Sequence, residues 1–186
     1  MSKLTTYTAF LRGINVGGHK IIKMEELREA FEELKFKNVR TLLASGNVIF
    51  QSEEKNLTIL TQKIEQQLAK RFGHEIGVII RSSEEIKSLI NSDPFKGVVI
   101  TPNTRLYITF LSEKSKNNLI VPYESPNKDY KVLRITDGEV FSVLTLLPDV
   151  NTTDLMKFLE KEFGKKITTR NLNTIAKIAN ATQLVV

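Results

Sequence analysis

The chain has 186 residues, which suits one large domain or two small ones, and 41% of them are hydrophobic, so it can form a core. It contains no cysteine and only two histidines, His19 and His74. This excludes disulfide scaffolds, thiol nucleophiles, zinc ribbons and three-histidine metal sites, and we expect no metal and no cofactor. No stretch approaches the roughly 20 apolar residues of a membrane span, and the first residues lack a signal-peptide core. We therefore expect a cytoplasmic protein without a membrane partner.

Positive charge is clustered along the sequence. The formal net charge is +6, and residues 1–24 hold Lys3, Arg12, Lys20 and Lys23 with no acidic residue. Residues 157–177 carry six lysines and arginines against two glutamates. Clusters of this kind favour an anionic partner, either a small molecule or a nucleic acid, although solvated surface lysines are the plainer interpretation.

The first half of the chain alternates strand and helix patterns. A strand at 5–11 precedes the glycine-rich stretch 12–18 (RGINVGG), and apolar residues from Met24 to Leu34 then follow helical spacing. Strands at 39–44 and 48–51 flank Ser45-Gly46-Asn47, which is a tight-turn signal. A helix at 57–72 ends at Gly73, and a strand at 76–81 leads into a short helix. This order predicts a ferredoxin-like βαββαβ arrangement.

The second half repeats much of this order. Strands are predicted at 105–111, 130–135 and 140–146, followed by a helix that ends at Gly164, a short strand at 167–169 and a final helix. YTAFL at 7–11 resembles YITFL at 107–111, and both halves place a glycine at the turn and after the helix. We predict an α+β fold of two tandem ferredoxin-like halves, 1–92 and 104–186, with a C-terminal helix. The linker at 93–103 contains Pro94, Gly97 and Pro102.

The glycine-rich stretch 12–18 has no counterpart after the matching strand of the second half, where 112–117 reads SEKSKN. Its glycines do not fit the dinucleotide pattern, and His19 and Lys20 stand where a P-loop needs lysine and a hydroxyl. Two interpretations stay open. The stretch is either an anion-binding cradle charged by Arg12 or Lys20, or a flexible loop without a ligand.

Chain topology brings further polar residues toward this loop. In a split βαβ unit the loop after the first strand, the turn between the second and third, and the connection before the fourth meet at one edge. We therefore predict that Arg12, Asn15, Ser45, Asn47 and His74 lie at one edge of the first sheet. The alternative for Ser45-Gly46-Asn47 is a hairpin turn with no further role.

A second polar cluster, 168–174 (TTRNLNT), opens the last predicted helix. There Arg170, Thr174 and Lys177 recur at helical spacing, so we predict one basic helical face beside N-terminal amides that suit a phosphate. Helix capping by Thr169 or Asn171 is the alternative.

The leading functional prediction is binding of an anionic, phosphate-bearing ligand, either a nucleotide or a nucleic acid. The predicted ligand-binding residues are Arg12, Gly13, Asn15, Gly17, Gly18, Lys20, Ser45, Gly46, Asn47, Arg170, Asn171, Thr174 and Lys177. Candidate base-stacking aromatics are Tyr7, Phe10 and Phe50, of which Tyr7 and Phe10 fall on opposite strand faces.

Two other functional classes stay open. One is an enzyme for a small phosphorylated or carboxylated metabolite, although no motif places an aspartate to orient His74 beside Ser45. The other is an interaction module that forms a homodimer through its sheet edges. No catalytic residue is assigned.

Several motifs together resemble a known family. They are FLRGINVGG at 10–18 with Met24 and Leu27, VRT at 39–41, SGNV at 45–48, and TRN at 169–171 with Thr174 and Lys177. These motifs resemble the bacterial domain-of-unknown-function 1697 family over nearly the whole chain. The family name implies no established activity, substrate or cofactor.

Overall fold

The computed structural model of the chain describes residues 4–15, 21–147 and 153–183. Within these residues the fold is mixed α+β, with two antiparallel sheets and five helices. The described residues form two compact units: the first runs to Ser88 and resumes at Lys177, and the second is Leu89–Ala176. Among the described residues, no helix combines the length and apolar character that crossing a membrane requires.

The first unit contains a four-stranded sheet in the order β2-β3-β1-β4, in which every neighbouring pair is antiparallel. Its elements in chain order are β1 (Thr5–Leu11), α1 (Met24–Glu33), β2 (Lys37–Leu42), β3 (Asn47–Ser52), α2 (Leu57–Phe72), β4 (Val78–Ser82) and α3 (Ser83–Asn91). The sequence places these elements in the same order.

Local chemistry explains where the helices of the first unit begin and end. Asn56 caps α2, since its side-chain oxygen accepts the Thr58 and Ile59 amides at 3.0 and 3.3 Å. Gly73 ends α2 with a left-handed φ of 74°. A capping box starts α3, because the Glu85 carboxylate accepts the Ser82 amide at 2.7 Å and the Ser82 hydroxyl accepts the Glu85 amide at 3.2 Å.

The core of the first unit lies between one sheet face and the helices α1 and α2. Apolar residues at helical spacing, among them Leu27 and Phe31 on α1 and Leu60 on α2, are fully buried there. Phe50 stands at the centre, with its ring centroid 5.5 Å from Phe31 and 5.7 Å from that of Tyr7. These aromatic contacts fix α1 against the sheet and thereby set the position of the residues that precede it.

The second unit contains a five-stranded antiparallel sheet in the order β6-β7-β8-β5-β9. The elements that follow α3 are β5 (Thr104–Leu111), β6 (Tyr123–Glu124), β7 (Tyr130–Ile135), β8 (Glu139–Thr145), α4 (Thr153–Phe163), β9 (Ile167–Asn171) and α5 (Leu172–Gln183). Of α5, the residues from Lys177 onward belong to the first unit. The expectation of a complete βαββαβ order in this half is wrong at one element. Residues 112–122, all of which are described, contain no helix, and the short strand β6 follows them.

The core of the second unit packs α4 against one face of its sheet. Leu155 and Leu159 of α4 are fully buried with Val132 and Leu144 of the strands. Phe158 stacks on Tyr123, with ring centroids 4.8 Å apart and planes inclined by 6°. The strand β6 therefore contacts α4. In the chain it stands between β5 and β7, whereas the first unit has α1 between β1 and β2.

Candidate functional site

The loop after β1 meets two other segments at one edge of the first sheet, as the topology predicted. The Leu11 amide donates to the Gly46 carbonyl at 2.9 Å, and the Arg12 amide donates to the Gly77 carbonyl at 2.9 Å. We call residues 12–15, 44–47 and 73–77 the β1 edge. The predicted ligand residues Gly17, Gly18 and Lys20, together with His19, lie outside the described residues.

Asn15 holds the β1 edge together through its side chain. Its Nδ2 donates to the Ala44 carbonyl at 2.8 Å and to the Ile22 carbonyl at 3.2 Å. Its Oδ1 accepts the Ile22 amide at 2.7 Å. Asn15 has a φ of 55°, a left-handed conformation that asparagine tolerates better than most residues. The side chain thus joins the loop after β1 both to Ile22 and to the β2–β3 turn, which is a positioning role.

The β2–β3 turn is fixed by Asn47 and Gly46. Asn47 is fully buried, and its Nδ2 donates to the Leu42 carbonyl at 2.9 Å and to the Ser45 hydroxyl at 3.0 Å. Gly46 has a φ of 74°, and a Cβ there would lie 2.6 Å from Ile14 Cδ1. The turn therefore requires glycine both for its backbone and for its close approach to the loop. Ser45 is exposed.

Arg12 lies against Gly77, a residue that the sequence did not single out. The Arg12 side chain is half-buried, and a Cβ on Gly77 would lie 2.7 Å from Nε and 2.9 Å from Cζ of the guanidinium. The space left by glycine is thus occupied by the guanidinium group. The sequence signal for this contact was the single glycine directly before β4. A glycine in or beside a strand often marks a place where another group approaches the backbone closely.

His74 lies in the connection between α2 and β4. Its Nδ1 lies 3.0 Å from the Phe72 carbonyl at the end of α2. Its Nε2 is buried and has no hydrogen-bond partner among the described residues. The imidazole therefore lies against the C-terminal end of α2. A hydrogen bond to the Phe72 carbonyl requires that Nδ1 carries the ring proton.

The expectation of an aromatic base-stacking surface on the first sheet is wrong. Tyr7, Phe10 and Phe50 are 3%, 0% and 0% exposed, so none presents a ring face to a ligand. Tyr7 and Phe10 point to opposite faces of β1, as parity predicts, but both faces are buried at these positions.

The second predicted cluster is divided between a strand and a helix. Arg170 belongs to β9, and α5 begins only at Leu172, so the prediction that Arg170, Thr174 and Lys177 share one helical face is wrong. The hydrogen bonds of β9 to β5 continue through Asn171, which pairs with Tyr107, and this delays the start of the helix.

Arg170 is 8% exposed. Its Nη1 donates to the Thr168 hydroxyl at 2.8 Å and to the Thr169 carbonyl at 2.9 Å. Burial lowers the pKa of the Arg170 guanidinium to about 10, because the apolar surroundings disfavour its charge.

The residues after Arg170 begin α5. Asn171 accepts the Asn173 amide on its Oδ1 at 2.8 Å, which is the capping role that the sequence offered as the alternative. Thr174 is half-buried and Lys177 is exposed. A ligand-binding role for these three residues and Arg170 stays a prediction.

The second unit forms the same pair of backbone bonds at the equivalent edge of its sheet. The Leu111 amide donates to the Gly138 carbonyl at 2.8 Å, and the Ser112 amide donates to the Lys166 carbonyl at 3.3 Å. Leu111 and Ser112 correspond to Leu11 and Arg12, but the segment that follows them contains no glycine. The glycine-rich sequence is therefore not needed to join the first strand to its neighbours at this edge.

Titratable groups of the described residues do not form a metal site. No group of three or more histidine, cysteine, aspartate or glutamate side chains in the described part of the chain could hold a metal ion. The candidate site is thus characterised by one arginine, one histidine, polar amides and close backbone approaches.

Comparison with known families decides the assignment. A family model described as "Protein of unknown function (DUF1697)" matches residues 4–141. The chain belongs to the DUF1697 family. The resemblance noted in the sequence is thereby confirmed, while the closing motif at 169–177 lies beyond the matched residues.

Among solved structures, the DUF1697 chain is similar to the conserved bacterial protein SP0830 from Streptococcus pneumoniae. The two share 22% sequence identity with a TM-score of 0.70, and the match covers 96% of this chain and 98% of that one. At this identity the likeness concerns the fold alone, and it supports the mixed α+β architecture. Comparison with functionally curated proteins gives no match.

Proposed function

We propose that the chain binds an anionic, phosphate-bearing ligand at the β1 edge, with Arg12 supplying the positive charge. The observation that carries this proposal is the difference between the two sheet edges. Both units make the same two backbone bonds, yet only the first has a glycine-rich segment after its first strand. A feature that the fold itself does not need is a candidate for ligand binding.

The position of Arg12 supports a charged contact. Its backbone is fixed by the bond to Gly77, and its guanidinium lies over the same glycine. An arginine held in this way loses little further conformational entropy when it binds a phosphate, and its planar group can donate two parallel hydrogen bonds. Residues 1–24 contain no acidic residue, so the stretch of sequence around Arg12 carries a net positive charge.

The remaining residues of the β1 edge divide into two groups. Asn15, Gly46 and Asn47 position the loop and the turn, because their side-chain bonds or close approaches lie within the protein. Gly13 and Ser45 are exposed, and we propose that they contact the ligand together with the backbone of Gly17, Gly18 and Lys20. Consecutive amides in a glycine-rich loop bind anions well.

Recognition through phosphate groups is favoured over recognition through bases. The three aromatic residues that could have stacked on bases are buried in the first unit. A nucleotide or nucleic acid would therefore be held by its phosphates, and nucleic-acid binding would weaken steeply with salt.

Titration of the full-length protein with ATP and with a single-stranded RNA oligonucleotide tests the proposal. Arg12→Ala should weaken binding by about 1.5–3 kcal/mol, whereas Arg28→Ala on α1 should leave it unchanged. Arg28 is a matched control because its side chain is exposed and its ion pair with Glu32 is long, at 4.0 Å. Equal weakening by both variants, or no saturable binding of either probe, would overturn the proposal.

A substitution at Gly77 tests the position of the Arg12 guanidinium without removing its charge. Gly77→Ala should displace the Arg12 guanidinium, because the new methyl group takes the space that Nε and Cζ occupy. Thermal stability should change little, since the flexible end of an arginine can move aside. Ligand affinity should fall toward that of Arg12→Ala, and an unchanged affinity would count against a role for Arg12 in its observed position.

We further propose that residues 1–92 and 104–186 are copies of one ferredoxin-like half, joined by the linker at 93–103. The strand orders β2-β3-β1-β4 and β7-β8-β5-β9 correspond, and both β2 and β7 carry a register shift against the next strand. In the second copy the first crossover helix is replaced by the loop at 112–122 and by β6. A duplicated origin explains why both copies keep the same bonds at the edge. Expressing the segment of each half separately tests the division, because failure of both segments to fold would contradict it.

A further inference from the structure

A cavity of about 610 Å³ lies at the edge of the second sheet that corresponds to the β1 edge. It is lined by residues 111–118, which follow β5, and by residues 162–166, which join α4 to β9. Its size falls within the range of about 300–1,000 Å³ that is usual for small-molecule sites. We call these residues the β5 cavity.

The wall of the β5 cavity is an ordered loop. Asn117 Nδ2 donates to the Glu162 carbonyl at 2.8 Å and to the Glu162 carboxylate at 3.0 Å. The Ser115 amide donates to the Asp137 carbonyl at 2.9 Å, so the loop is also tied to the β7–β8 turn. Side-chain and backbone hydrogen bonds thus join this segment, which has no helix or strand, to α4 and to the β7–β8 turn.

Cationic side chains outnumber acidic ones around the cavity. The charged lining residues are four lysines and two glutamates, namely Lys114, Lys116, Lys165, Lys166, Glu113 and Glu162. The Glu162 carboxylate accepts the Asn117 amide, and Lys114 forms an exposed ion pair with Asp137 at 3.0 Å. Lys116 belongs to one lining segment and Lys166 to the other, and both are exposed.

The end of α4 also faces this cavity, and a helix C-terminus by itself disfavours an anion. Here the terminal carbonyl of Glu162 already accepts Asn117, and Lys165 and Lys166 follow it directly in the chain. The lysines therefore offset the negative end of the helix.

We propose that the β5 cavity is a second ligand site, which binds a phosphorylated small molecule. Lysine ammonium groups bind phosphate as point charges, and Ser112 and Ser115 add hydroxyl groups to the lining. Leu111 and Phe163 give the cavity an apolar part for the organic portion of the ligand. This site is separate from the β1 edge and does not depend on the function proposed there.

Nuclear magnetic resonance titration of the full-length protein with ATP locates the binding directly. Saturable shifts of the backbone amides at 112–118 and 165–166 are expected at millimolar ATP. Lys116→Gln with Lys166→Gln should weaken this binding by about tenfold or more, since two charged contacts are lost. The double variant should melt as the wild type does, because both side chains are exposed.

Two controls make the outcome decisive. Lys96→Gln with Lys157→Gln removes the same charge from exposed positions of the second unit outside the cavity and should leave the ATP shifts at 112–118 unchanged. Arg12→Ala should also leave these shifts intact, which separates this site from the β1 edge. Shifts confined to the β1 edge, equal weakening by both double variants, or no saturable shift at 112–118 would each overturn the proposal.

Discussion

Arg81 and Arg170 occupy equivalent positions in the last strand of their units. Arg81 of β4 is paired with Thr8 of β1, and Arg170 of β9 is paired with Ile108 of β5. In both cases Nη1 donates to the carbonyl of the preceding residue, at 3.0 Å for Arg81 and 2.9 Å for Arg170. The two differ in burial, since Arg81 is half-buried and Arg170 is buried. The two units therefore carry an arginine at the same strand position, and its surroundings are partly exposed in the first unit and buried in the second.

This difference predicts unequal costs of truncation. Arg170→Ala should lower the free energy of unfolding by about 2–4 kcal/mol, because it empties a buried site and leaves the Thr168 hydroxyl without its donor. Arg81→Ala should cost about 1 kcal/mol, since water can replace the side chain there. Urea denaturation measures both. A smaller loss at Arg170 than at Arg81 would contradict the structural role assigned to Arg170.

Gly46 and Gly73 offer a matched pair for the β2–β3 turn. Both have a φ of 74°, but a Cβ on Gly46 would lie 2.6 Å from Ile14 Cδ1, and a Cβ on Gly73 would have nothing within 4 Å. Gly73→Ala should therefore cost only the left-handed backbone penalty of about 1–2 kcal/mol. Gly46→Ala should cost about 1–3 kcal/mol more, because Ile14 and Leu11 must move. Equal melting temperatures for the two variants would show that the close packing of Gly46 against Ile14 does not restrict the residue at position 46.

The bonds of Asn15 predict a local effect on the glycine-rich segment. Asn15→Gly suits the φ of 55° and removes only the side chain, so the Ile22 amide loses its acceptor. Hydrogen exchange at Ile22 should become faster, and the free energy of unfolding should fall by about 1–2 kcal/mol. Asn15→Asp keeps an oxygen for Ile22 and loses the donor to Ala44, so it should preserve protection at Ile22. Unchanged exchange in the glycine variant would remove Asn15 from its positioning role.

Tyr130 predicts a loss of stability at alkaline pH. Burial, and to a smaller extent the nearby Tyr123 and Asp129, raises the pKa of Tyr130 to about 12 from its ordinary value of 10.0. Between these values the unfolded chain releases the phenolic proton and the folded chain keeps it. The free energy of unfolding should therefore fall as the pH rises through this window, with a slope of up to about 1.4 kcal/mol per pH unit.

Tyr130→Phe isolates this contribution. Phenylalanine keeps the ring contact with Phe158, whose centroid lies 5.4 Å away, and removes the titrating hydroxyl. Chemical denaturation of both proteins across the alkaline window should give a shallower slope for the variant. Identical slopes would mean that other tyrosines and lysines account for the whole pH dependence.

The fold of the first unit follows from local sequence signals. The strand predicted at 5–11, the helical spacing from Met24, the SGN turn and the glycine after α2 all agree with the structure. The convergence at the β1 edge follows as well, because strand topology alone decides which loops meet. The sequence therefore predicts which residues lie at this edge, but it does not predict the hydrogen bonds that they form.

The parts that sequence missed depend on tertiary contacts. The spacing of Arg170 from Thr174 and Lys177 predicts a helix, but pairing with β5 extends the strand through Asn171. The alternation of side chains along β1 predicts that Tyr7 and Phe10 lie on opposite faces of the sheet. It does not predict that both faces are covered by other residues, as the burial of both side chains shows. The β5 cavity was missed for the same reason, since two segments 44 positions or more apart form its walls.

The division of α5 has a consequence for folding during synthesis. The first unit includes residues from Lys177 onward, so its last part is synthesised only after the whole of the second unit has been synthesised. Contacts of such long sequence separation form late, because the intervening chain must be closed into a loop first. The second unit, which is continuous from Leu89 to Ala176, can be completed earlier than the unit that precedes it. Pulse-labelling hydrogen exchange during refolding should accordingly protect β5 and β8 no later than it protects the residues of α5 after Lys177.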